Sequence, residues 1–181
     1  MPTATGLMTV EEYRALPNPE NGNVYELHQG VLVEVCRPKE GHSKLQHRLH
    51  ELLQSAGHGI GVSRLEFAFR AQPEFELRAA DVGFVSRERY RQIHDDDNLR
   101  GAPELVVEIL SPSNTKTELD EKEELCLTNG CVEFWVINPK RRTIEVTVEG
   151  QVHRYKEGDF IDFVAIPGKS IQVSDVFSFD F

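Results

Sequence analysis

The chain has 181 residues and a formal net charge of −10 at pH 7, from 20 lysines and arginines against 30 aspartates and glutamates. Its length and ordinary apolar content predict one globular domain, residues 1–181, with a sizeable core. The acidic charge disfavours a protein that grips nucleic acid along a basic stripe, and no apolar run approaches the roughly 20 residues of a membrane span.

The start of the chain and its cysteines indicate a cytoplasmic protein. Met-Pro-Thr-Ala-Thr-Gly has neither the basic start nor the apolar block of a secretory signal. Cys36, Cys126 and Cys131 are odd in number, and the last two have neither CxxC spacing nor a neighbouring histidine for zinc. We therefore expect reduced thiols, no disulfide, a cytoplasmic location and no membrane partner.

The first part of the chain predicts a short helix and then a hairpin. Residues 9–16 should be helical, with Thr9 as N-cap and Glu12 as its capping-box partner. Residues 24–36 predict a hairpin that turns at Gln29-Gly30.

A longer helix follows, and a second capping box, Ser43 with Gln46, marks its predicted start. The helix should end at Gly57. Its apolar residues fall on one face: Leu45, Leu49, Leu52, Leu53 and Ala56.

Strands are predicted in the middle of the chain. Residues 64–70 alternate, which should direct Leu65, Phe67 and Phe69 to the core. Residues 81–86 predict a strand that starts on Asp81. The polar residues 87–101 predict a helical turn and a loop.

Residues 104–111 are apolar and β-branched between two prolines, which is typical of a strand buried on both faces. A helix over residues 117–129, closed by Gly130, should follow. The remaining predicted strands are 132–138, 143–148 and a C-terminal meander of 152–155, 160–163 and 170–173. This order favours an α+β fold, with a mixed central sheet flanked by helices.

Glu108 lies inside the apolar strand, where a charge must be paired, protonated or bound to a cation. Asp81, on another strand, could meet it if the two strands are adjacent. Mg²⁺ prefers one or two carboxylates with carbonyls and water, and the carbonyl of Ile109 is a natural third ligand. The alternatives are a strand cap or surface pair for Asp81 and a structural ion pair for Glu108.

Two further charged residues lie in apolar surroundings. Lys122 is three residues from both Leu119 and Leu125, next to the face of its helix that should be buried. It is a candidate partner for Glu108. Glu26 stands between a tyrosine and a leucine just before the predicted turn.

Other polar and aromatic residues favour structural roles. His47 and His50 should lie on the solvent-facing flank of their helix, and Phe134 and Trp135 in the core. Ser111 and Ser113 lack the Gly-x-Ser-x-Gly surroundings of a nucleophile. They should instead cap the next helix.

Four segments of the chain resemble the Uma2 family, also described as a domain of unknown function and as restriction endonucleases. They are Val-Tyr-Glu-Leu-His-Gln-Gly-Val-Leu-Val (24–33), Ala-Asp-Val-Gly-Phe-Val (80–85), Pro-Glu-Leu-Val-Val-Glu-Ile-Leu-Ser-Pro-Ser (103–113) and Lys122 with Gly-Cys-Val-Glu-Phe-Trp-Val-Ile-Asn-Pro (130–139). The resemblance spans residues 9–176 and implies a restriction-endonuclease-like, PD-(D/E)XK core with extra C-terminal antiparallel strands.

The resemblance also implies roles for individual residues. Asp81 and Glu108 become the metal-binding acids, and Glu26 could complete the metal shell. Nucleases of this fold carry a lysine two residues after the glutamate, where this chain has Leu110, and Lys122 matches the family's replacement. His42 falls near a histidine often seen in the family, which implies a position lining the site.

Two departures from the family pattern are Ala80 in place of proline and Cys126 in place of an aromatic residue. The second could loosen the packing that aims Lys122.

The resemblance therefore implies a Mg²⁺ (or Mn²⁺)-dependent endonuclease that hydrolyses phosphodiester bonds in DNA, as a homodimer. In that mechanism Lys122 positions or helps to deprotonate the attacking water. The alternative is a catalytically weak or inactive nuclease-fold protein that acts as a protein- or nucleic-acid-binding module, which the acidic net charge favours.

Overall fold

The structure, a computed structural model, describes residues 6–17, 19, 23–35, 38–112 and 114–178. Its helices are α1 (Val10–Arg14), α2 (Glu40–Ala56), α3 (Arg87–Tyr90), α4 (Lys116–Thr128) and α5 (Val173–Val176). Its strands are β1 (Val24–His28), β2 (Val31–Val35), β3 (Gly61–Arg70), β4 (Arg78–Ser86), β5 (Leu99–Arg100), β6 (Leu105–Ile109), β7 (Glu133–Asn138), β8 (Thr143–Val148), β9 (Gln151–Lys156), β10 (Phe160–Asp162) and β11 (Ser170–Gln172).

A seven-stranded sheet in the order β5-β3-β4-β6-β7-β8-β9 is the centre of the fold. Strands β6 and β7 are parallel and are joined through α4, and β5 is parallel to β3. The other neighbours in this sheet are antiparallel. The mixed central sheet flanked by helices that the sequence predicted is confirmed.

Helices cover both faces of the sheet. Leu45, Leu49 and Leu53 of α2 belong to one core cluster together with Val107 and Trp135. Adjacent residues on the same strands, Val106 and Phe134, belong to a second cluster, against which α4 packs. All five residues of β6 are buried, as its continuous apolar sequence predicted.

Local sequence signals set several element ends. Thr9 and Glu12 form the predicted capping box of α1. The N-cap of α4 is Thr115, with Glu118 as its partner, so the prediction that Ser111 caps this helix is wrong. Gly130 follows α4 with φ 108°, a conformation that glycine adopts without a Cβ clash.

The start of α2 differs from the prediction. The helix begins at Glu40, and its N-cap, Lys39, makes no side-chain capping bond, so Ser43 and Gln46 do not form a capping box. Both residues lie inside the helix, and Gln46 is only 3% exposed because its side chain turns toward the sheet.

Strands β3 and β4 are longer than predicted, and one residue changes the direction of the side chains on β3. Because β4 begins at Arg78, Asp81 lies within the strand and not at its start. Leu65 packs against the α2 side of the sheet, whereas Phe67 and Phe69 belong to the opposite cluster. Between them Glu66 has φ 44°, which interrupts the alternation on which the prediction relied.

The C-terminal strands do not form one meander. Strand β9 extends the central sheet beside β8, but among the described strands β10 and β11 pair only with each other. Their apolar residues lie over the α2 face, where the ring of Phe163 stacks on Trp135 with centroids 5.4 Å apart. Burial of these apolar residues against the α2 face explains why β10 and β11 fold back over the sheet.

Cys126 and Cys131 are free thiols, as predicted, and both are buried; Cys36 and Ser113 lie outside the described residues. Phe134 and Trp135 are fully buried, as predicted. No helix among the described residues combines the length and apolarity that a membrane crossing requires.

Candidate active site

The two candidate metal-binding acids lie on neighbouring strands at the centre of the sheet. Strands β4 and β6 are antiparallel, and Val82 pairs with Val107, so Asp81 and Glu108 are the next residues along the two strands. The backbone N–H of Ile109 donates to Asp81 Oδ2 at 2.6 Å. The structure thus brings together the three residues that the sequence proposed as metal ligands.

Helix α2 supplies two further contacts to Asp81. His42 Nε2 lies 2.9 Å from Asp81 Oδ1, and Gln46 Nε2 donates to the same oxygen at 3.1 Å. The hydrogen bond to Asp81 raises the pKa of His42; burial opposes this, and the charges of nearby carboxylates reinforce it. His42 and Gln46 are four residues apart, so they share one face of the helix.

Lys122 of α4 forms an ion pair with Glu108. Its Nζ lies 2.8 Å from Glu108 Oε1 and donates to the backbone carbonyl of Ala79 at 2.7 Å. Burial alone would lower the pKa of Lys122, but the charges of Glu108, Glu26 and Asp81 outweigh it and raise the pKa above its usual value. Lys122 is therefore a fixed cation among three acids.

The surroundings of Glu108 favour its neutral form, whereas those of Lys122 favour its charged form. Burial raises the pKa of its carboxyl; the positive charge of Lys122 opposes this and the negative charge of Asp81 adds to it. Oε1 of Glu108 is buried, and the ammonium of Lys122 lies 2.8 Å from it. A carboxylate oxygen has more than one lone pair, so Oε1 can accept a further ligand beside the ammonium.

Glu26 reaches the same cluster from β1. Its Oε1 accepts the backbone N–H of Ala79 at 2.9 Å, and its Oε2 lies 2.7 Å from Nε2 of His28. Burial would raise the pKa of Glu26, but the His28 bond, the charge of Lys122 and the Ala79 N–H lower it. Glu26 and Lys122 are thus attached to the N–H and the carbonyl of one residue.

Two residues of this cluster were not predicted from the sequence. The sequence pattern predicts Gln46 as part of a helix cap, and it gives no role to Glu66 in the alternating segment 64–70. Gln46 also donates to Glu66 Oε1, so a single amide joins Glu66 to Asp81. The sequence feature that could have indicated Gln46 is its position four residues after His42, beside the buried leucine stripe.

The histidines on the outer part of α2 do not join the cluster. His47 is exposed and contacts the carbonyl of Ser43 in its own helix. His50 is half-buried beside the hydroxyl of Ser63, rather than fully solvent-facing as predicted.

The donor set fits a hard divalent cation. Two carboxylates, those of Asp81 and Glu108, lie together, and both are slightly exposed. Among the described residues no three or more His, Cys, Asp or Glu side chains are arranged as a metal site. A cation here would therefore depend on two carboxylates with backbone oxygens and water, which is the usual Mg²⁺ environment.

A mixed sheet flanked by helices, with two acids meeting on adjacent central strands, defines a restriction-endonuclease-like fold. The chain belongs to the Uma2 family, whose description is "Putative restriction endonuclease" and whose model matches residues 10–177. The resemblance seen in the sequence is confirmed.

The chain is also similar to a solved structure, the crystal structure of "a putative nuclease belonging to DUF820" from Anabaena variabilis ATCC 29413. The TM-score is 0.78 at 20% identity, over 94% of this chain and 97% of that chain. At this identity the likeness establishes the fold. No curated protein matches the chain. Family and fold together support a nuclease, and hence a hydrolase.

Proposed function

We propose that the protein is a metal-dependent endonuclease that hydrolyses phosphodiester bonds in DNA. The observation that carries this proposal is the pairing of Asp81 with Glu108 on adjacent buried strands, with Lys122 held 2.8 Å from Glu108. Structural ion pairs rarely need two adjacent acids for one lysine, because the second acid adds repulsion. A cation site beside a fixed ammonium explains the arrangement better.

Asp81 and Glu108 would hold the cation, Mg²⁺ or Mn²⁺, with the carbonyl of Ile109 as a candidate third ligand. A divalent cation bound there supplies Lewis-acid polarisation of a phosphate oxygen and lowers the pKa of a bound water. The acidic surroundings make such a cation necessary, because two or three carboxylates repel phosphate.

Lys122 contributes positive charge next to the reacting phosphate. Because its pKa is raised, it keeps its proton, which favours positioning of the attacking water and stabilisation of negative charge over removal of a proton. The carbonyl of Ala79 fixes the ammonium, and Glu26 holds the backbone of Ala79 through its N–H. Glu26 thereby acts on the orientation of Lys122.

His42 and Gln46 hold the Asp81 carboxylate in a single orientation. Both contact Oδ1, while the Ile109 N–H contacts Oδ2. Fixing a charged group before the substrate binds avoids the cost of reorienting it during the reaction.

The test is cleavage of a mixed panel of DNA and RNA with Mg²⁺ or Mn²⁺. We compare wild type with Asp81→Asn and Glu108→Gln, which keep shape but remove charge. Glu121→Gln on the exposed side of α4 is the matched control. Each site variant should lose about 10²-fold or more in rate, and the control should not change. Equal cleavage by all four proteins would indicate a contaminant and remove the assigned site.

Calorimetric titration with Mg²⁺ or Mn²⁺ tests the cation directly. Wild type should bind one ion or more, and Asp81→Asn and Glu108→Gln should bind much more weakly, since each loses one carboxylate.

A second candidate is a nuclease-fold binding module without catalysis. One observation favours it: the Asp81 oxygens already have three protein partners and Glu108 has Lys122, so both acids are paired without a metal. This candidate predicts no cleavage and no calorimetric signal from either metal.

A homodimer and a cytoplasmic location are further parts of the proposal. A second copy would supply a groove for nucleic acid that an acidic monomer lacks. Light scattering on the purified protein should give twice the mass of 20.6 kDa; a monomer at all concentrations would remove this part.

A further inference from the structure

A cavity of about 110 Å³ lies beside the candidate active site, between β3 and the loop that leads to β5. Its apolar lining residues are Phe67, Ala68, Ile93 and Leu99, and its polar lining residues are Arg64, Glu66, Asp97 and Asn98. The volume is well below the roughly 300–1,000 Å³ of pockets that hold whole small molecules. It therefore fits one ring-sized group.

The walls combine apolar surface with hydrogen-bond donors and two carboxylates. The guanidinium of Arg64 lies 5.8 Å from the centroid of the Phe67 ring and makes no ion pair with any described residue. The side-chain oxygen of Asn98 accepts from Arg14, whereas its amide N–H groups donate to no described residue. A planar guanidinium and an available amide are the groups that proteins use to stack and hydrogen-bond nucleobases.

Glu66 and Gln46 connect the cavity to Asp81. Glu66 lines the cavity and accepts from Gln46, which in turn donates to Asp81. A nucleotide whose phosphate lies at Asp81 and Glu108 would therefore have the cavity on its Glu66 side.

The loop that forms the outer wall is held in place. Asp97 accepts from Arg14 and Arg70 through Oδ1 and from Arg100 through Oδ2. It also accepts the backbone N–H of Asn98. A wall fixed by several charge-assisted bonds is pre-organised for a ligand.

We propose that this cavity receives the unpaired base of a nucleotide next to the cleaved bond, so that the substrate is single-stranded or locally unpaired DNA. This inference rests on the proposed function. A base inside a duplex is stacked on both faces and paired at its edge, so it enters such a cavity only after it leaves the helix.

Binding measurements separate this inference from general charge attraction. A short fluorescein-labelled single strand and the blunt duplex of the same sequence are titrated by anisotropy, with Ca²⁺ in place of Mg²⁺ to prevent cleavage. Ala68→Leu fills the cavity without a change of charge. Arg64→Ala removes the stacking guanidinium. Arg87→Ala is the control, because Arg87 is exposed, makes no ion pair among the described residues and lines no part of the cavity.

The wild type should bind the single strand more tightly than the duplex. Ala68→Leu and Arg64→Ala should weaken binding of the single strand by about 10-fold, in line with the loss of one stacked base. Ala68→Leu should leave duplex binding unchanged, and Arg87→Ala should affect both forms slightly and equally. A 2-aminopurine base placed along the strand should change its fluorescence on binding wild type, which tests the cavity even if Ala68→Leu fails to fold.

Equal binding of both DNA forms with no effect of Ala68→Leu, or no 2-aminopurine change at any position, would overturn the inference. If the wild type still cleaves duplex DNA in that case, the nuclease proposal survives and only the cavity assignment falls. Single-strand binding that is sensitive to Ala68→Leu, without cleavage under any metal, would support the cavity and remove the nuclease.

Discussion

Replacement of Lys122 by methionine leaves the buried Glu108 without the ammonium that lies 2.8 Å from its Oε1, and it also removes the donor to the carbonyl of Ala79. Breaking a buried pair by removal of one partner typically costs about 3–5 kcal/mol. Lys122 has little exposed surface, so solvent cannot replace it at the carboxylate. We expect Lys122→Met to lose free energy of unfolding in this range at pH 7.5.

Removal of both charges should recover much of that loss. In Lys122→Met/Glu108→Leu no uncompensated charge remains on β6, and apolar replacements of buried pairs are often neutral. Lys122 also offsets the charges of Glu26 and Asp81, so the double variant should stay about 1 kcal/mol below wild type. Replacing Glu108 by leucine in the Lys122→Met background should therefore recover about 2–4 kcal/mol of free energy of unfolding.

The cost of Lys122→Met should also depend on pH. Burial and the charge of Asp81 raise the pKa of Glu108 in the folded protein, and loss of Lys122 removes the main charge that opposes this rise. The folded variant then binds more protons than the unfolded chain, in which the glutamate has a pKa of about 4.3. Stability must fall as pH rises from there through the folded pKa. The penalty should thus be smaller at pH 5 than at pH 7.5.

Urea unfolding followed by circular dichroism measures these differences. With a slope of about 2 kcal/mol per M, Lys122→Met should lower the midpoint by about 1.5–2.5 M at pH 7.5. Lys116→Met removes an exposed lysine from the same helix, where it pairs with Asp120, and should leave the midpoint nearly unchanged. A midpoint shift for Lys122→Met no larger than this control, or equal shifts at both pH values, would refute the reasoning.

Three further variants test features outside the Lys122 pair. Glu66→Gly should be more stable than Glu66→Ala by about 1 kcal/mol in urea, because φ 44° disfavours any residue with a Cβ; equal stability would contradict the strain. Thr115→Ala should cost about 1 kcal/mol by loss of the α4 capping box, and Thr117→Ala, inside the same helix, should cost less. Asp97→Asn should lower the melting temperature by several degrees at pH 7. Burial would raise the pKa of Asp97, but hydrogen bonds from Arg70, Arg14, the Asn98 N–H and Arg100 lower it, so the carboxylate stabilises the fold above about pH 4 and this stabilisation is lost as pH falls. An equal deficit in melting temperature at pH 2 would contradict this.

Local patterns predicted most elements because the forces that set them are local. The leucine stripe of α2, the hairpin turn at Gln29-Gly30 and the apolar run of β6 each appear where expected. The capping-box pattern misplaced the start of α2, because Gln46 finds better partners in Glu66 and Asp81 than in its own backbone. Contacts from distant strands override such local preferences.

Asp81, Glu108 and Lys122 could be proposed as site residues because a charge among apolar residues requires a partner. The structure places Asp81 and Glu108 on adjacent strands and Lys122 2.8 Å from Glu108, while their catalytic and metal-binding roles stay predictions. Glu66 could not be found in this way, since it lies in an ordinary alternating segment and turns toward the site through its unusual φ. Similarly, no local pattern distinguishes β10 and β11, which pair together, from a continuation of the central sheet.

The chain contains one tryptophan, and its surroundings give the protein a built-in optical reporter. Trp135 stacks on Phe163, and its indole N–H donates to Glu133, which also accepts the backbone N–H of Ala165. Detachment of the β10–β11 hairpin would expose the indole to water and shift its emission to longer wavelength. Asp81 and Glu108 are absent from these contacts, so intrinsic fluorescence can follow the C-terminal hairpin separately from events at the acids.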